Sequence, residues 1–230
     1  MPGHQQEITV SVASCVFCRQ QDLSNILHET AHFLVLADHA PVVEGHLLVL
    51  PRAHFACYGA VPAALDAEFL ALKAEVSAFC QQVYQTPVFF EHGVYHQTVY
   101  HAHLHVFPFG VLPGEIVHLL DTVGHAVQSQ ADIRAWYEKY GHYFYVERPL
   151  AATEVAGNEA SSTHASVSTA ALFPPDDALY HRVLGALRTQ TGRPGGWLPP
   201  SLRYLAGAAK IEALAAAWQQ FVASGTSEPM

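Results

Sequence analysis

The stretch "YHAHLHVFPF", from Tyr100 to Phe109, places three histidines at alternate positions of an otherwise apolar run. Side chains of a β-strand point alternately to its two faces, so His101, His103 and His105 should share one face. Three interpretations fit this row: a polar sheet face that happens to be rich in histidine, a metal site that uses all three imidazoles, and a nucleophilic site. In the last, a neutral imidazole attacks phosphorus while neighbouring groups orient it and stabilise the developing charge.

The composition limits the partners of the chain. Its 230 residues, 50% of them hydrophobic, are enough to bury a full core. The formal net charge of -9 argues against a nucleic-acid polymer, because phosphate-backbone binding depends on clustered Lys and Arg, but it leaves a small nucleotide open. The N-terminal sequence "MPGHQQEITVSVAS" has no basic start followed by an apolar segment, and no apolar stretch is long enough to span a bilayer. We therefore expect a cytoplasmic protein without a membrane partner.

The residues upstream of the histidine row predict an α+β fold. The sequence "FLVLADHAPVVEGHLLVL", residues 33–50, predicts a β-hairpin around a polar turn. Apolar residues three or four positions apart between Pro62 and Tyr84 predict an amphipathic helix with Pro62 in its first turn. The segment "VFF", residues 88–90, and the histidine row itself predict two further strands. One helix crossing a mostly antiparallel sheet is an α+β arrangement.

The C-terminal half gives weaker patterns. We expect a helix near residues 115–140, a strand at "HYFYVE" (142–147) and a helix around "DDALYHRVLGALRTQ" (176–190). The small, polar stretch "EVAGNEASSTHASVSTAA" (154–171) is predicted to be a mobile loop. A final helix is expected from Ser201, with that serine as a candidate N-cap.

Two motifs in the chain resemble those of a known family. "HAHLHVF" resembles the signature of the histidine triad (HIT) superfamily. Upstream, "LADHAPVVEGHLLVLPRAH" is similar to the family's other hallmark, a strand carrying Asp, then Pro, Gly-His, an apolar strand and Pro-basic-x-His. The resemblance implies a HIT-like fold, a five-stranded antiparallel sheet with helices. It places the catalytic core in residues 1–112 and an α/β extension, packed on the core, in residues 113–230.

The same resemblance implies an enzyme that hydrolyses or transfers nucleoside monophosphate groups. His103 would attack the α-phosphorus, and water or another acceptor would then resolve the nucleotidyl-histidine. His105 would contact the phosphate, Asp38 would accept hydrogen bonds from the ribose hydroxyls, and Gln97 and Thr98 would offer an amide and a hydroxyl. The catalytic residues carried over from the family are His103, His105, His101, Thr98 and Gln97. The expected substrate is a purine nucleotide or dinucleotide, as a phosphoramidate, a dinucleoside polyphosphate or a related ester.

The approach to the triad, "FFEHGVYHQTVYH", departs from the family pattern. Glu91 and Gly93 fall on the predicted substrate side of the pocket, where an acidic group would repel a polyphosphate unless it points away or is paired. His92 and His96 either offset that charge or are plain loop residues. The departure favours an alternative function, a catalytically weak nucleotide-binding or zinc-stabilised interaction module.

The pair Cys15 and Cys18, in "CVFC", gains meaning from the resemblance. A zinc-binding, Hint-like branch of bacterial HIT hydrolases has such a pair, with the histidine that ends "PRAH" and the first triad histidine as partners. Those positions are His54 and His101 here, so the resemblance implies a structural Zn²⁺ with two Cys and two His ligands. A redox pair and two buried thiols are the competing interpretations.

The extension has no counterpart in the minimal fold. Arg182 and Arg188, in the helix predicted around residues 176–190, either reach a phosphate or are solvated helix residues. Small members of the family commonly form homodimers, and an extension of this length would be able to cover the dimer surface. The sequence leaves the choice between monomer and homodimer open.

Overall fold

The computed structural model describes residues 14–150, 168–191 and 198–225. In these residues one antiparallel sheet of eight strands has the order β1-β2-β3-β5-β4-β7-β8-β6. The strands are β1 (Ile26–Glu29), β2 (Phe33–Ala37), β3 (Leu47–Pro51), β4 (Val88–Glu91), β5 (Leu104–Phe107), β6 (His125–Val127), β7 (Phe144–Pro149) and β8 (Ser168–Phe173). The α-helices are α1 (Asp66–Val83), α2 (Gly114–Val123), α3 (Gln130–Tyr140), α4 (Asp177–Thr189) and α5 (Pro200–Gly225). The predicted α+β class is confirmed.

The predicted hairpin over residues 33–50 is confirmed by β2 and β3, which pair with Leu34 opposite Leu50 and Leu36 opposite Leu48. All ten residues of the two strands are buried. Both faces of this part of the sheet are therefore covered, and this explains why the sequence reads as continuous apolar runs instead of an alternation.

Helix α1 also follows the prediction, and its residues Phe69, Leu72, Val76 and Phe79 are buried against the sheet. It begins four residues later than expected. Pro62 precedes a short 3-10 turn, Ala63–Leu65, instead of occupying the first turn of the α-helix.

The histidine row is only partly a strand. β5 covers Leu104–Phe107, so His101 and His103 precede the ladder. The Ala102 N–H donates to the carbonyl of Phe55 at 2.6 Å, which holds this segment beside the chain that follows β3. Within the ladder, His105 stands opposite Leu48 of β3 and Phe90 of β4. The expected strand is therefore right in place and too long at its N-terminal end.

The helix expected near residues 115–140 is wrong, because β6 separates two helices there. α2 ends at Gly124, where a Cβ would meet the Leu120 carbonyl oxygen at 2.6 Å and the Ala171 Cβ at 2.7 Å. α3 starts with a capping box, in which the Asp132 carboxylate accepts from the Ser129 N–H at 2.8 Å. The local stop and start signals outweigh the apolar periodicity that runs through them.

Four further expectations for the C-terminal half have different outcomes in the structure. The strand at 142–147 and the helix at 176–190 are confirmed by β7 and α4. Most of the predicted loop lies outside the described residues, but its last four residues, 168–171, belong to β8. The final helix begins at Pro200, so Ser201 lies inside its first turn and is not the N-cap.

The extension continues the sheet of the N-terminal half. β7 pairs with β4, placing Phe90 opposite Val146, and β8 and β6 follow outward. The five strands expected from the resemblance, β1 to β5, are thus extended by three. α2 and α4 cover one face of the sheet, and α1, α3 and the C-terminal part of α5 cover the other. In the described ranges no helix has both the length and the apolar character needed to cross a membrane.

Candidate active site and metal centre

A pocket of about 450 Å³ opens on the sheet face beneath α4. Its floor comes from β3, β4 and β5 through Leu48, Phe90, His105 and Phe107. The N-terminal half adds His103, His46 and the loop from Asp38 to Val42, while the extension adds residues from α4 and the start of α5. Both halves of the chain therefore build the same pocket.

His103 is 5% exposed and lines this pocket. Its Nδ1 lies 2.6 Å from the carbonyl oxygen of His101. Because a carbonyl oxygen can only accept, the proton of a neutral His103 sits on Nδ1, and Nε2 keeps its lone pair on the side of the pocket. The same carbonyl accepts from the Gln97 Nε2 at 2.7 Å. This arrangement presents a nucleophilic nitrogen in a fixed orientation.

Two further histidines, His46 and His105, are hydrogen-bonded to each other beside His103. The Val42 N–H donates to the Nδ1 of His46 at 3.4 Å, so the proton of neutral His46 sits on Nε2. That nitrogen lies 3.1 Å from the Nδ1 of His105 and 3.7 Å from the Asp38 Oδ2. His105 then carries its own proton on Nε2, where it can donate to an anionic oxygen in the pocket.

Burial controls the ionisation of these groups. It lowers the pKa of His46 to about 4 and the pKa of His105 well below its ordinary value, so both are neutral near pH 7. Burial raises the pKa of Asp38, but the neighbouring His46, the Ala40 N–H, His39 and Arg203 together outweigh burial and leave that pKa below its ordinary value. Asp38 is therefore an anion, with one oxygen held by the Ala40 N–H at 2.6 Å.

The two remaining polar residues carried over from the family take different positions. Thr98 lines the pocket and is exposed. Gln97 is buried and does not line it; its amide nitrogen is bound to the His101 carbonyl, and its Oε1 has no hydrogen-bond partner among the described residues. The structure thus gives Gln97 a positioning contact behind His103.

Glu91 and Gly93, predicted to bind substrate, are not among the residues that line the pocket. Glu91 is 1% exposed and accepts from the Tyr58 N–H at 2.7 Å and from the Tyr143 hydroxyl at 2.6 Å. Successive strand residues face opposite sides, so Phe90 faces the pocket and Glu91 lies behind the sheet. Burial raises the pKa of Glu91 to about 7. Gly93 has a φ of 53° and packs on Tyr143, which makes it a residue of the turn.

His92 and His96, which the sequence left undecided, both line the pocket. The turn that carries them includes two non-glycine residues with positive φ, Val94 at 76° and His96 at 54°. A positive φ at a β-branched residue is uncommon and strained. Ties to α4 hold the turn, since the Asp177 carboxylate accepts from the Tyr95 hydroxyl and lies 2.8 Å from the His96 Nε2.

The extension contributes two arginines to the pocket wall, Arg188 from α4 and Arg203 from α5. Of the two candidates in the sequence, Arg188 reaches the pocket and Arg182 is exposed without lining it. Arg203 was missed, because nothing in its local sequence marks it. In a chain with a formal net charge of -9, a pocket lined by two guanidinium groups and one carboxylate, that of Asp38, has an excess of positive charge.

The structure brings the four predicted metal ligands together into what we call the thiol cluster, Cys15, Cys18, His54 and His101. The Cys18 Sγ lies 3.2 Å from the His54 Nδ1 and 3.5 Å from the His101 Nδ1, and the Cys15 Sγ lies 3.5 Å from the His101 Nδ1. Tetrahedral ligands with Zn–S of about 2.3 Å and Zn–N of about 2.0–2.1 Å stand about 3.3–3.8 Å apart. The four residues therefore fit zinc in both donor type and spacing.

The surroundings of the thiol cluster agree with a structural site. His101 is fully buried, and its Nε2 donates to the Pro51 carbonyl at 2.8 Å, which turns Nδ1 toward the thiols. The two cysteines precede only a three-residue 3-10 helix, Gln20–Asp22, and not the α-helix whose N-terminus would activate a redox thiol. Cys57 and Cys80 are buried in the hydrophobic core away from the cluster.

A metal site built from all three histidines of the row is not formed. His101 belongs to the thiol cluster, whereas His105 belongs to a second group with Asp38 and His46, which we call the carboxylate cluster. His103 belongs to neither of the two groups found in the described residues. The three histidines of the row thus have different surroundings: His101 lies in the thiol cluster, His103 lies in the pocket outside both clusters, and His105 lies in the carboxylate cluster.

Comparison with known proteins gave a family match. Residues 19–109 match the family model described as the HIT domain. Over this range the chain is similar to the HIT family. A search of curated proteins gave no match.

Three solved structures illustrate the likeness. A zinc-bound histidine triad family protein from Mycobacterium smegmatis is 28% identical, with 43% of this chain and 76% of that chain covered and a TM-score of 0.39. A HIT family hydrolase from Clostridium thermocellum is 24% identical, with 43% and 92% covered and a TM-score of 0.36. A histidine triad nucleotide-binding protein from Candida albicans is 23% identical, with 40% and 73% covered and a TM-score of 0.37.

Proposed function

We propose that this protein is a nucleotide hydrolase or nucleotidyltransferase that uses His103 as its nucleophile. The observation that carries the proposal is the hydrogen bond between the His103 Nδ1 and the His101 carbonyl, which leaves Nε2 as a lone-pair nitrogen in the pocket. The substrate is a nucleoside monophosphate joined to a leaving group through a P–N or P–O bond, as in a phosphoramidate, a dinucleoside polyphosphate or a related ester.

The reaction proceeds through two displacements at one phosphorus. The His103 Nε2 attacks, the bond to the leaving group breaks with its electron pair, and a nucleotidyl-histidine forms. The His105 Nε2–H donates to a phosphate oxygen as charge develops, and its orientation is set by the His46 Nε2–H at 3.1 Å. Water or another acceptor then attacks, and the P–N bond electrons return to His103.

Charge in the pocket supports a nucleotide as the substrate. Asp38 is an anion suited to accept hydrogen bonds from two ribose hydroxyls, and Arg188 and Arg203 favour a phosphate. The position of Glu91 bears on the alternative of a binding module without turnover. Its carboxylate is paired behind the sheet, so the repulsion that favoured that alternative does not reach the pocket.

Zinc has a structural part in this proposal, held by the thiol cluster. The metal would stabilise the connection between the N-terminal segment, the end of β3 and the start of the histidine row. His101 links the thiol cluster to the pocket, because its ring belongs to the thiol cluster and its carbonyl accepts the His103 Nδ1–H. Holding His101 in place therefore helps to orient the nucleophile.

The test measures, by chromatography, the release of nucleoside monophosphate from adenosine and guanosine phosphoramidates and from dinucleoside polyphosphates. Wild type is compared with His103→Ala and with the control His118→Ala, an exposed residue of α2. We expect release by wild type and by the control, and none by His103→Ala. Nucleotide binding without release in wild type would instead support the binding module.

A further inference from the structure

His92 stands in the pocket beside the two histidines assigned to the chemistry. Its ring centre lies 5.6 Å from that of His105 and 6.4 Å from that of His103. It lines the pocket, and it belongs neither to the histidine row nor to the thiol cluster or the carboxylate cluster. The reaction described above gives this third imidazole no task.

The hydrogen bonds of His92 define which nitrogen carries the proton. Its Nδ1 lies 3.2 Å from the Tyr95 carbonyl oxygen and 3.1 Å from the Tyr180 hydroxyl. The carbonyl can only accept, so Nδ1 is the protonated nitrogen, and the hydroxyl oxygen can accept from it as well. Nε2 is then an unprotonated acceptor, and it has no hydrogen-bond partner in the ranges that the structure describes.

This state of His92 restricts what it can bind. Burial, with smaller contributions from His103 and His96, lowers its pKa to about 3, so the ring is neutral in the empty pocket. A lone pair on Nε2 disfavours an anionic phosphate oxygen and favours an O–H or N–H donor. Water is the donor that a hydrolase must bring to this place. The negative charge of a bound nucleotide would raise the pKa of His92 and make the ring a better base.

We propose that His92 is the general base that activates water against the nucleotidyl-His103 intermediate. This inference rests on the proposed function and selects hydrolysis as its second step. The water oxygen bonds to phosphorus while its proton passes to the His92 Nε2. The P–N bond breaks with its electron pair returning to the His103 Nε2, and His92 then loses the proton to solvent. Nothing else is consumed, and nucleoside monophosphate is the product.

The extension takes part through Tyr180. This residue of α4 places its hydroxyl at the His92 Nδ1, while its neighbour Asp177 holds Tyr95 and His96 of the same turn. The strained turn and α4 therefore fix the ring between them. Tyr180, in the C-terminal half, thus acts in the proposed reaction by positioning His92, which lies within the residues matched by the HIT domain model.

The test measures the intermediate and the turnover separately in rapid-quench experiments with the full chain and the best substrate from the panel. His92→Ala removes the ring, and His92→Gln keeps a side chain of similar length that cannot take up a proton at neutral pH. His118→Ala is the control. We expect both His92 variants to form the nucleotidyl adduct at the wild-type rate, to accumulate it, and to turn over about 100-fold more slowly, the lower end of the usual range for general-base catalysis.

A second experiment adds hydroxylamine as an acceptor in place of water, which separates loss of the general base from other defects. The neutral nitrogen of hydroxylamine attacks phosphorus through a lone pair and loses a proton afterwards, so it needs no base to start the step. We expect it to restore turnover in both His92 variants and to leave the control unchanged. Wild-type turnover in the variants, or slow turnover without adduct accumulation, would overturn the assignment of His92 alone. Absence of adduct and release in wild type would overturn the proposed function itself.

If His92→Ala fails to fold, His92→Gln carries the test. Thermal unfolding and zinc content establish beforehand that each variant is intact, and a variant with normal values and a normal adduct rate has lost only the second step. Slower adduct formation in His92→Gln would also contradict the proposal, because it would place His92 in the first step.

Discussion

The thiol cluster and the carboxylate cluster take their histidines from the same short row, yet they are built for different purposes. The thiol cluster has two sulfur and two nitrogen donors, and its buried His101 is turned onto a backbone carbonyl. The carboxylate cluster has no sulfur, and all its members line the pocket. Alternating histidines in a sequence therefore do not share one role: the partners that surround each ring decide it.

The largest effect should come from breaking the thiol cluster with Cys18→Ser. We expect loss of bound zinc and a fall in Tm on the order of 10 °C, since 1 kcal/mol corresponds to about 2–4 °C for a chain of this size. Cys80→Ala, a buried cysteine outside the cluster, should keep one zinc per chain. Zinc analysis and calorimetry check both. If the Cys18→Ser protein retained its zinc, the assignment of Cys18 as a zinc ligand would be wrong.

Asp38→Asn breaks the carboxylate cluster and should leave the zinc content unchanged. The amide keeps an acceptor for the Ala40 N–H but loses the charge. We expect kcat/KM to fall about 10- to 100-fold, the equivalent of about 1.5–3 kcal/mol for hydrogen bonds to a charged group. Steady-state kinetics and zinc analysis on the same preparation check this. Loss of zinc together with activity would mean that the two clusters are not independent.

Arg203→Gln sharpens the comparison, because it removes a charge from the pocket wall without replacing a member of either cluster. We expect kcat/KM for an anionic nucleotide to fall about fivefold to tenfold, on the order of 1 kcal/mol in a partly buried site. Arg182→Gln removes the same charge from the exposed side of α4 and should have no effect. Equal effects of the two variants would point to the net charge of the chain as the cause.

The smallest effect concerns Glu91, which belongs to neither cluster. Its pKa in the folded chain is about 7, above the ordinary 4.5. Between these values the folded chain keeps a proton that the unfolded chain releases, so stability falls as pH rises from about 4.5 to 7. Glu91→Gln should flatten this part of the stability curve and leave activity and zinc unchanged. Thermal unfolding of variant and wild type at matched pH values checks the difference.

Much of this arrangement could be predicted from the sequence, because it is encoded locally. The hairpin of β2 and β3 and the helix α1 follow from apolar patterns within about twenty residues. Asp38 and His46, and the predicted metal ligands His54 and His101, stand in short motifs at fixed spacings. Such signals can be read without knowing how distant segments pack.

What the sequence did not predict depends on packing between distant segments. Tyr180 and Arg203 reach the pocket because α4 and the start of α5 fold back onto it, which no local pattern records. Glu91 looked like a pocket residue because the sequence does not show which residues of β4 face the pocket. A shift of one residue in the alternation exchanges Glu91 with Phe90. The sequence left the role of His92 undecided, because its partner Tyr180 is 88 positions away.

The central claim, that His103 is the nucleophile of the row, is tested most directly by locating the covalent adduct. Full-length protein is mixed with substrate, quenched within one turnover, and analysed as peptides by mass spectrometry under conditions that preserve P–N bonds. The account predicts one nucleoside monophosphate on the peptide that contains the row, localised to His103 and absent from His103→Ala. An adduct on another residue, or unchanged turnover by His103→Ala without any adduct, would contradict it.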